Sequence, residues 1–435
     1  MPYHGSTRLP AEFASKTSHM DVIEDEFIKK LVSTFESTSK EDIEINAKWE
    51  NYTVDKSLSL VFAVDGSFQI VRADKWPYKK MAFVKIALVI LDNDEILQLD
   101  KENPHPMKIR DILAKSSFHH STAIPLQHIQ QKGMTNYETI RNGIFNGMKD
   151  KNFEGEILET LKWLAYEKWD GKKKNIPLFD CPHCRKTVAT LSYDNEIGNC
   201  DNCGGDLFIT DMLGFHQDTA NEDTANEVIV NSYMSVYETL ALFAGIRYFW
   251  EHNKEVFGKT MFLKDGPLSI RAQYSKLVEP IRRFLTFANN ENNPVHIVGQ
   301  EKSGTFADHL QFIELDAPEN SIFVPNDKYI KEDIQQRPTD GQDYGYDTNY
   351  GSKIFVKIND RHSMILNIPI GLFNPNPKYG DLIGVNRILG TLNSLLSSRH
   401  ESGLTPIEMA HNIASLSTYP SAKLLKILAE EAGLI

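Results

Sequence analysis

The chain has 435 residues, of which 41% are hydrophobic and 24% charged, and a formal net charge of −12. These proportions are those of a globular protein large enough for more than one ordinary domain or one domain enlarged by insertions. They exclude a protein that coats nucleic acid through an all-round basic surface, while leaving room for an enzyme that confines its Lys and Arg to one channel. No apolar run reaches the length of a membrane helix. The first residues show no charged stretch leading into an apolar one, so a cytoplasmic location is expected.

Residues up to Lys16 carry Gly, Pro, Ser and Thr without periodicity and read as a loosely ordered arm. From Met20 to Ser37, Val22, Ile23, Phe27, Leu31, Val32 and Phe35 recur at helical spacing, which predicts an amphipathic helix. Its stripe can pack on the parent domain or dock on another chain. The run Val61-Phe62-Ala63-Val64 then ends in Asp65-Gly66 and predicts a buried strand that delivers one carboxylate. An ionised carboxylate in such a place needs a cation or several donors. Lys80–Leu91 predicts a second long strand able to pair with the first as a hairpin. Glu102–Gln131 reads as irregular, with His119-His120 as surface polar sequence, and helices are expected at Asn136–Met148 and Phe153–Lys168. Lys172-Lys173-Lys174 then reads as a solvated linker.

Cys181-Pro-His-Cys184 and Cys200-Asp-Asn-Cys203 are two CxxC knuckles, and the chain has four cysteines in all. Two knuckles at this spacing predict a structural zinc ribbon, in which four thiolates close a tetrahedral site and leave no position for water. Beyond it, Tyr233–Trp250 is almost wholly apolar apart from Glu238 and Arg247 and predicts a buried helix. Those two charges are nine positions apart and so fall on opposite faces. Glu238 is left to meet either a distant basic residue or a metal ion. Met261-Phe262-Leu263-Lys264-Asp265-Gly266 repeats the pattern of a strand ending in Asp-Gly, and two such strands suggest two carboxylates at one metal. Val295–Gly299 predicts a further core strand running into Lys302, a residue placed to hold a phosphate or to neutralise the cluster. Pro318–Thr348 reads as a long loop, and Ile354–Ile358 and Met364–Ile370 as a late strand pair. Thr405-Pro406-Ile407-Glu408 has the form of a capping box opening a helix that carries His411.

Taken in order, the strand ending in Asp65-Gly66-Ser67, the helix with Glu238, the strand ending in Asp265-Gly266-Pro267, the turn from Gly299 to Lys302 and the last helix with Glu408-Met409-Ala410-His411 resemble the NurA nuclease family. The resemblance implies an RNase H-like α/β core, a mixed sheet with flanking helices, to which this chain adds an inserted zinc-ribbon subdomain. It implies a Mn²⁺- or Mg²⁺-dependent deoxyribonuclease acting on ends and, as an open second mode, internally. It further implies a homodimer and partnership with a HerA-type hexameric ATPase in DNA end processing or in defence against foreign DNA. Asp65, Glu238 and Asp265 take the family's metal-binding positions and His411 its C-terminal histidine; Lys302 joins them as a catalytic candidate through its place at a strand end beside the carboxylates. The Tyr that often precedes that histidine in the family has no counterpart in Gly403-Leu404-Thr405-Pro406. The corresponding layout is an arm and helix over 1–56, a first part of the nuclease core over 57–100, an insertion over 101–225 with the ribbon at about 177–212, and the rest of the core over 226–435. The alternative is a catalytically inactive zinc-ribbon adaptor that binds DNA or a protein on the same fold.

Overall fold

The computed structural model describes residues 22–35, 47–98, 117–150, 156–171, 174–221, 224–225, 227–271, 276–397, 402–416 and 420–435. The arm before Lys16 and most of the lysine linker lie outside the described residues. The chain divides into two units, Met1–Asn46 and Ala47–Ile435.

In the first unit, the helix expected over Met20–Ser37 is shorter and interrupted. Asp25 is extended, and its carboxylate accepts from the Ile28 N–H at 3.0 Å, capping a helix over Glu26–Val32. A cap inside the apolar repeat is what breaks it, because an Asp that accepts from the backbone competes with the preceding turn. Val22, Ile23, Phe27, Leu31, Val32 and Phe35 are all exposed.

The second unit is built on one large mixed sheet. Its strands begin with β1 (Glu50–Asn51), β2 (Leu60–Arg72), β3 (Lys80–Asp92) and β4 (Ser117–Gln127). Helices α1 (Asn136–Met148) and α2 (Glu156–Ala165) follow, then four short strands outside the sheet, β5 (Phe179–Asp180), β6 (Thr187–Ala189), β7 (Ile197–Asn199) and β8 (Asp206–Phe208). The chain returns through β9 (Thr219–Asn221), β10 (Thr224–Ala225), helix α3 (Val228–His252) and β11 (Thr260–Asp265). Helix α4 (Val278–Asn290), β12 (His296–Glu301), β13 (Ser321–Phe323), β14 (Ser352–Asn359) and β15 (His362–Ile368) complete the sheet. Helices α5 (Val385–Leu395), α6 (Thr405–Ala414) and α7 (Ser421–Glu431) close the chain.

The central strands lie in the order β4-β3-β2-β11-β12. β3 is antiparallel to both β2 and β4, whereas β11 runs parallel to β2 and to β12. This is the strand order of an RNase H-like core. The antiparallel strands β15, β14, β13 and β1 extend it on one side, and β10 and β9 on the other.

Side chains of a strand alternate between faces, and here the alternation divides two cores. Phe62, Val64 and Phe262 join the residues of α3, whereas Val61, Ala63, Met261 and Leu263 join those of α5 and α6. Helix α3 comes close to β2 because residue 245 is glycine, where a Cβ would overlap the Phe62 ring.

Three expectations change. The stretch read as irregular contains β4, in which His119 is exposed but His120 is buried and its ring stacks on Tyr237 at 4.5 Å. The inward histidine hid the alternation, since His counts as polar in any pattern of hydrophobicity. The long loop over Pro318–Thr348 holds β13 and a helical turn capped by Asn326, whose side-chain oxygen accepts from the Tyr329 N–H at 2.9 Å. Finally, α6 starts one residue before the capping box would start it. Leu404, buried and bridged to Leu396, takes the cap position, and Thr405 is already helical.

Burial pushes His120 and His296 down to about 4, so both are neutral inside the fold. The unfolded chain protonates them near 6.5, hence their contribution is complete above that pH and is lost as pH falls toward 4. His120→Phe should flatten the acid side of the stability curve. In chemical denaturation, its loss between pH 7.5 and pH 5 should be smaller than that of the unsubstituted protein by about 2 kcal/mol; identical losses would show that His120 titrates normally.

Candidate functional site

Register sets the first two functional side chains. β2 and β11 pair in parallel with Thr260 opposite Leu60 and Lys264 opposite Val64, so Asp65 and Asp265 stand level at the next position of neighbouring strands. Both have the parity of Ala63 and Leu263 and therefore project toward α6. That helix presents His411, whose Nδ1–H donates to Asp65 Oδ2 at 2.8 Å. Asp65 Oδ1 accepts from the Gly66 N–H at 2.8 Å. One ligand atom from each of Asp65, Asp265 and His411 lies within 4.8 Å of the others, so the three can hold a metal ion. Asp65 is buried, Asp265 half-buried and His411 exposed, which opens the group to solvent on one side.

Burial, and then the neighbouring charge of Asp265, hold the Asp65 carboxyl above its usual range. Two carboxylates set this close, beside an imidazole, offer oxygen donors that suit a hard divalent cation. Lys302 approaches from beyond the end of β12, its Nζ 3.0 Å from Asp265 Oδ1. Lys302 therefore offsets part of the negative charge from the open side.

Glu238 comes from the other face of the sheet. Its helix, α3, packs on the side of Val64 and Lys264, and its Oε2 accepts from Lys264 Nζ at 2.7 Å with both side chains buried. Burial pushes Glu238 up to about 7, against the pull of Lys264. Burial draws Lys264 down, but Glu238, together with Tyr350 and Asp265, holds the ammonium above its ordinary value. The 2.7 Å contact supports the charged pair, because a neutral carboxyl would leave Lys264 buried without a counter-charge. Glu238 thus stands outside the group of Asp65, Asp265 and His411. Lys264 is the residue that sequence reasoning missed; its signal was a basic residue closing the apolar run Met261–Leu263 within a buried strand, and a search for the partner of Glu238 among such charges would have found it. Arg247, the other charge of α3, pairs with Glu156.

The two faces meet at a cleft of about 620 Å³ where β11 and β12 end while β2 continues. Asp65, Glu238, Lys264, Asp265, Arg271 and Lys302 all line it. Gly66 lies at the junction, where a Cβ would come 2.5 Å from Glu238 Oε1 and 2.7 Å from Met234 Cγ.

The four cysteines form a second centre. β5 and β6 make one small hairpin and β7 and β8 another, each carrying a CxxC turn at its tip. The turns are alike in detail. The Arg185 N–H donates to Cys181 O at 2.8 Å and the Gly204 N–H to Cys200 O at 2.7 Å, with residues 185 and 204 both in the left-handed region. All four sulfurs lie within 4.8 Å of one another, with Cys181 Sγ 3.7 Å from Cys203 Sγ. A disulfide would need about 2.05 Å, whereas thiolates about 2.3 Å from a tetrahedral ion stand about 3.8 Å apart. Burial pushes the Cys181 thiol up, so its thiolate requires a cation beside it.

This ribbon is joined to the core. Cys181, Leu191, Cys200, Leu207 and Ile209 belong to the same apolar cluster as α1, α2 and α3. Arg141 of α1 donates to both carboxylate oxygens of buried Asp211, at 2.7 and 2.9 Å, and lies over the Phe208 ring. The Tyr137 hydroxyl donates to Pro182 O at 2.8 Å.

The chain is therefore a mixed α/β protein whose central sheet has RNase H-like order, with a four-cysteine ribbon inserted before its fourth core strand. No family's sequence profile and no curated protein matches it. Among solved structures, a crystal structure of NurA is similar over 96% of this chain and 97% of that one, at 12% identity and a TM-score of 0.26. So weak a likeness does not bear on the site, which stands on its own geometry.

Gly66→Ala should displace Glu238 and Met234 and destabilise the fold by about 1–3 kcal/mol. Thermal unfolding unchanged by this substitution would mean that the wall behind Asp65 is looser than the structure has it.

Proposed function

We propose that the chain is a divalent-metal-dependent deoxyribonuclease that hydrolyses phosphodiester bonds in the cleft of Asp65 and Asp265. The observation that carries this reading is the convergence of Asp65, Asp265 and His411 within 4.8 Å at the open end of two parallel strands. Asp65, Asp265 and His411 would hold the ion, Mn²⁺ or Mg²⁺. Such an ion, when bound, supplies Lewis-acid stabilisation of the phosphate and of the attacking oxygen. Lys302 and Arg271, on the rim of the same cleft, orient the phosphate of the substrate. His411 has Nδ1 committed to Asp65 and so acts through Nε2 alone, which would either bind the ion or, while free of it, take or give a proton. Glu238 fixes Lys264 and closes the wall behind Gly66; to serve as a ligand it would have to leave Lys264. Glu238→Gln separates these roles: a ligand loses metal affinity on substitution, while a positioning residue changes the rate at saturating metal.

The four thiolates are assigned to structural Zn²⁺. DNA as substrate, a homodimer, a HerA-type hexameric ATPase as partner, and a role in end processing or defence against foreign DNA belong to the proposal through the resemblance of motifs set out above. The competing reading is an inactive adaptor on the same fold, and the neutralisation of Glu238 by Lys264 is the observation in its favour.

On linear DNA with Mn²⁺ or Mg²⁺, the unsubstituted protein should cleave, and Asp65→Ala or Asp265→Ala should reduce cleavage at least about 100-fold. In the absence of metal the two variants should melt no lower than the parent, since each removes half of a repelling pair. Equal cleavage by all three proteins would place the activity elsewhere. Absence of cleavage even with the ATPase and ATP present would favour the adaptor.

Metal analysis of protein purified without added zinc should find about one Zn²⁺ per chain. Cys200→Ser should lower the melting temperature of the whole second unit, because the ribbon shares its core. Four freely titratable thiols and no bound metal would overturn the assignment.

A further inference from the structure

Strands β2 and β3 continue well past the site as a hairpin arm, with β4 paired along the outer edge of β3. The turn at its tip is reached seven residues beyond Asp65, about 23 Å along the strand. The tip, residues 73–79, reads Ala-Asp-Lys-Trp-Pro-Tyr-Lys. Trp76 is 80% exposed and Tyr78 is 55% exposed, their rings meeting edge to face at 6.2 Å. An indole left this far in water at the end of a hairpin adds nothing to a core.

Charge narrows what covers it. From Arg72 to Lys80 stand Arg72, Lys75, Lys79 and Lys80 against the single acid Asp74, in a chain whose formal charge is −12. Arg72 and Lys80 both meet Glu227 at 3.0 Å, and Asp74 is taken by Lys426 of α7 at 2.7 Å. These pairs tie the arm to α3 and to the last helix, so the tip is braced. They leave Lys75 and Lys79, on either side of the two rings, without an acidic partner among the described residues. Two braced, exposed aromatic rings between lysines are the elements of a stacking platform for unpaired bases, with the ammonium groups on the phosphates. A duplex offers no free base faces to such rings, and an acidic protein surface would use the lysines and leave the rings in water.

We propose that the tip of the β2–β3 arm binds single-stranded nucleic acid by stacking bases on Trp76 and Tyr78, several nucleotides away from the carboxylate cleft on the same strand. The inference rests on the nuclease reading for its biological sense, and its test does not depend on cleavage.

Fluorescein-labelled oligothymidine, titrated without added divalent metal, serves as the probe. Binding should raise its anisotropy and quench tryptophan emission. The double variant Trp76→Ala, Tyr78→Ala should weaken binding about tenfold or more, whereas Trp76→Phe, which keeps a ring, should retain most of it. Melting temperatures of the variants, expected to match the parent, show that the fold is intact. The inference is overturned if the parent does not bind the oligonucleotide or if the double variant binds as tightly as the parent. It is equally overturned if the substitutions change only the association state in sedimentation, which would make the tip a contact between copies. The two readings fail separately. A protein that binds through the tip but cleaves nothing with Mn²⁺ refutes the nuclease alone, and one that cleaves while its binding ignores the tip refutes the platform alone.

Discussion

The parallel pairing of β2 with β11 is the constraint on which the rest depends. Because side chains alternate along a strand, a single register decides two things together: Asp65 and Asp265 fall level on one face, and Lys264 falls on the other, opposite the helix that carries Glu238. A slip of one residue would exchange the faces, sending a carboxylate into the aromatic core around Phe62 and Phe262 and an ammonium toward His411. The apolar residues on either side of the carboxylates hold that register. Val61, Ala63, Met261 and Leu263 are fully buried on one face, and Phe62, Val64 and Phe262 are buried on the other.

The two carboxylates were legible in the sequence because each follows a strong apolar run, and the histidine because Thr405-Pro406 announces the helix that carries it. A β-branched run ending in Asp-Gly states both where the strand is and where it delivers its charge. The position of Glu238 was legible as well, on a helix too apolar to tolerate an idle charge. What the sequence did not show was the side from which it arrives, since that depends on the path of a helix over the sheet and not on local spacing. β4 escaped for a different reason: an inward histidine stacked on Tyr237 does the work of an apolar residue while counting as polar. The amphipathic repeat of the first unit was over-read, because Asp25 caps a new helix inside it.

The ribbon was the clearest motif in the sequence, yet its spacing gave no hint of its surroundings. A free ribbon would expose the outer faces of its hairpins. Here one side of the ribbon is covered, through Arg141 on Asp211, Tyr137 on Pro182 and the packing of Leu191, Leu207 and Ile209 in one cluster with the helices that follow β4, while Val188 and Ile197 stay exposed on the other. Breaking a buried pair such as Arg141 with Asp211 typically costs several kcal/mol, so the ribbon and the helices behave as one body. That arrangement gives the ribbon a supporting part in holding α3, and through α3 in placing Glu238 and Lys264.

The separation of the site residues along the chain bears on how it is made. Asp265 follows Asp65 by two hundred residues, and the bond between Asp65 and His411 spans 346 positions. Contacts so distant in sequence form late and slowly, since the entropy of closing the intervening chain must be met first. A chain still emerging from the ribosome can complete the β2–β3–β4 meander and the ribbon, but it has neither the second carboxylate nor the histidine. The group of Asp65, Asp265 and His411 therefore assembles only after His411 has been made and its helix has packed on the sheet, and a fragment that stops short of it lacks one of the three side chains.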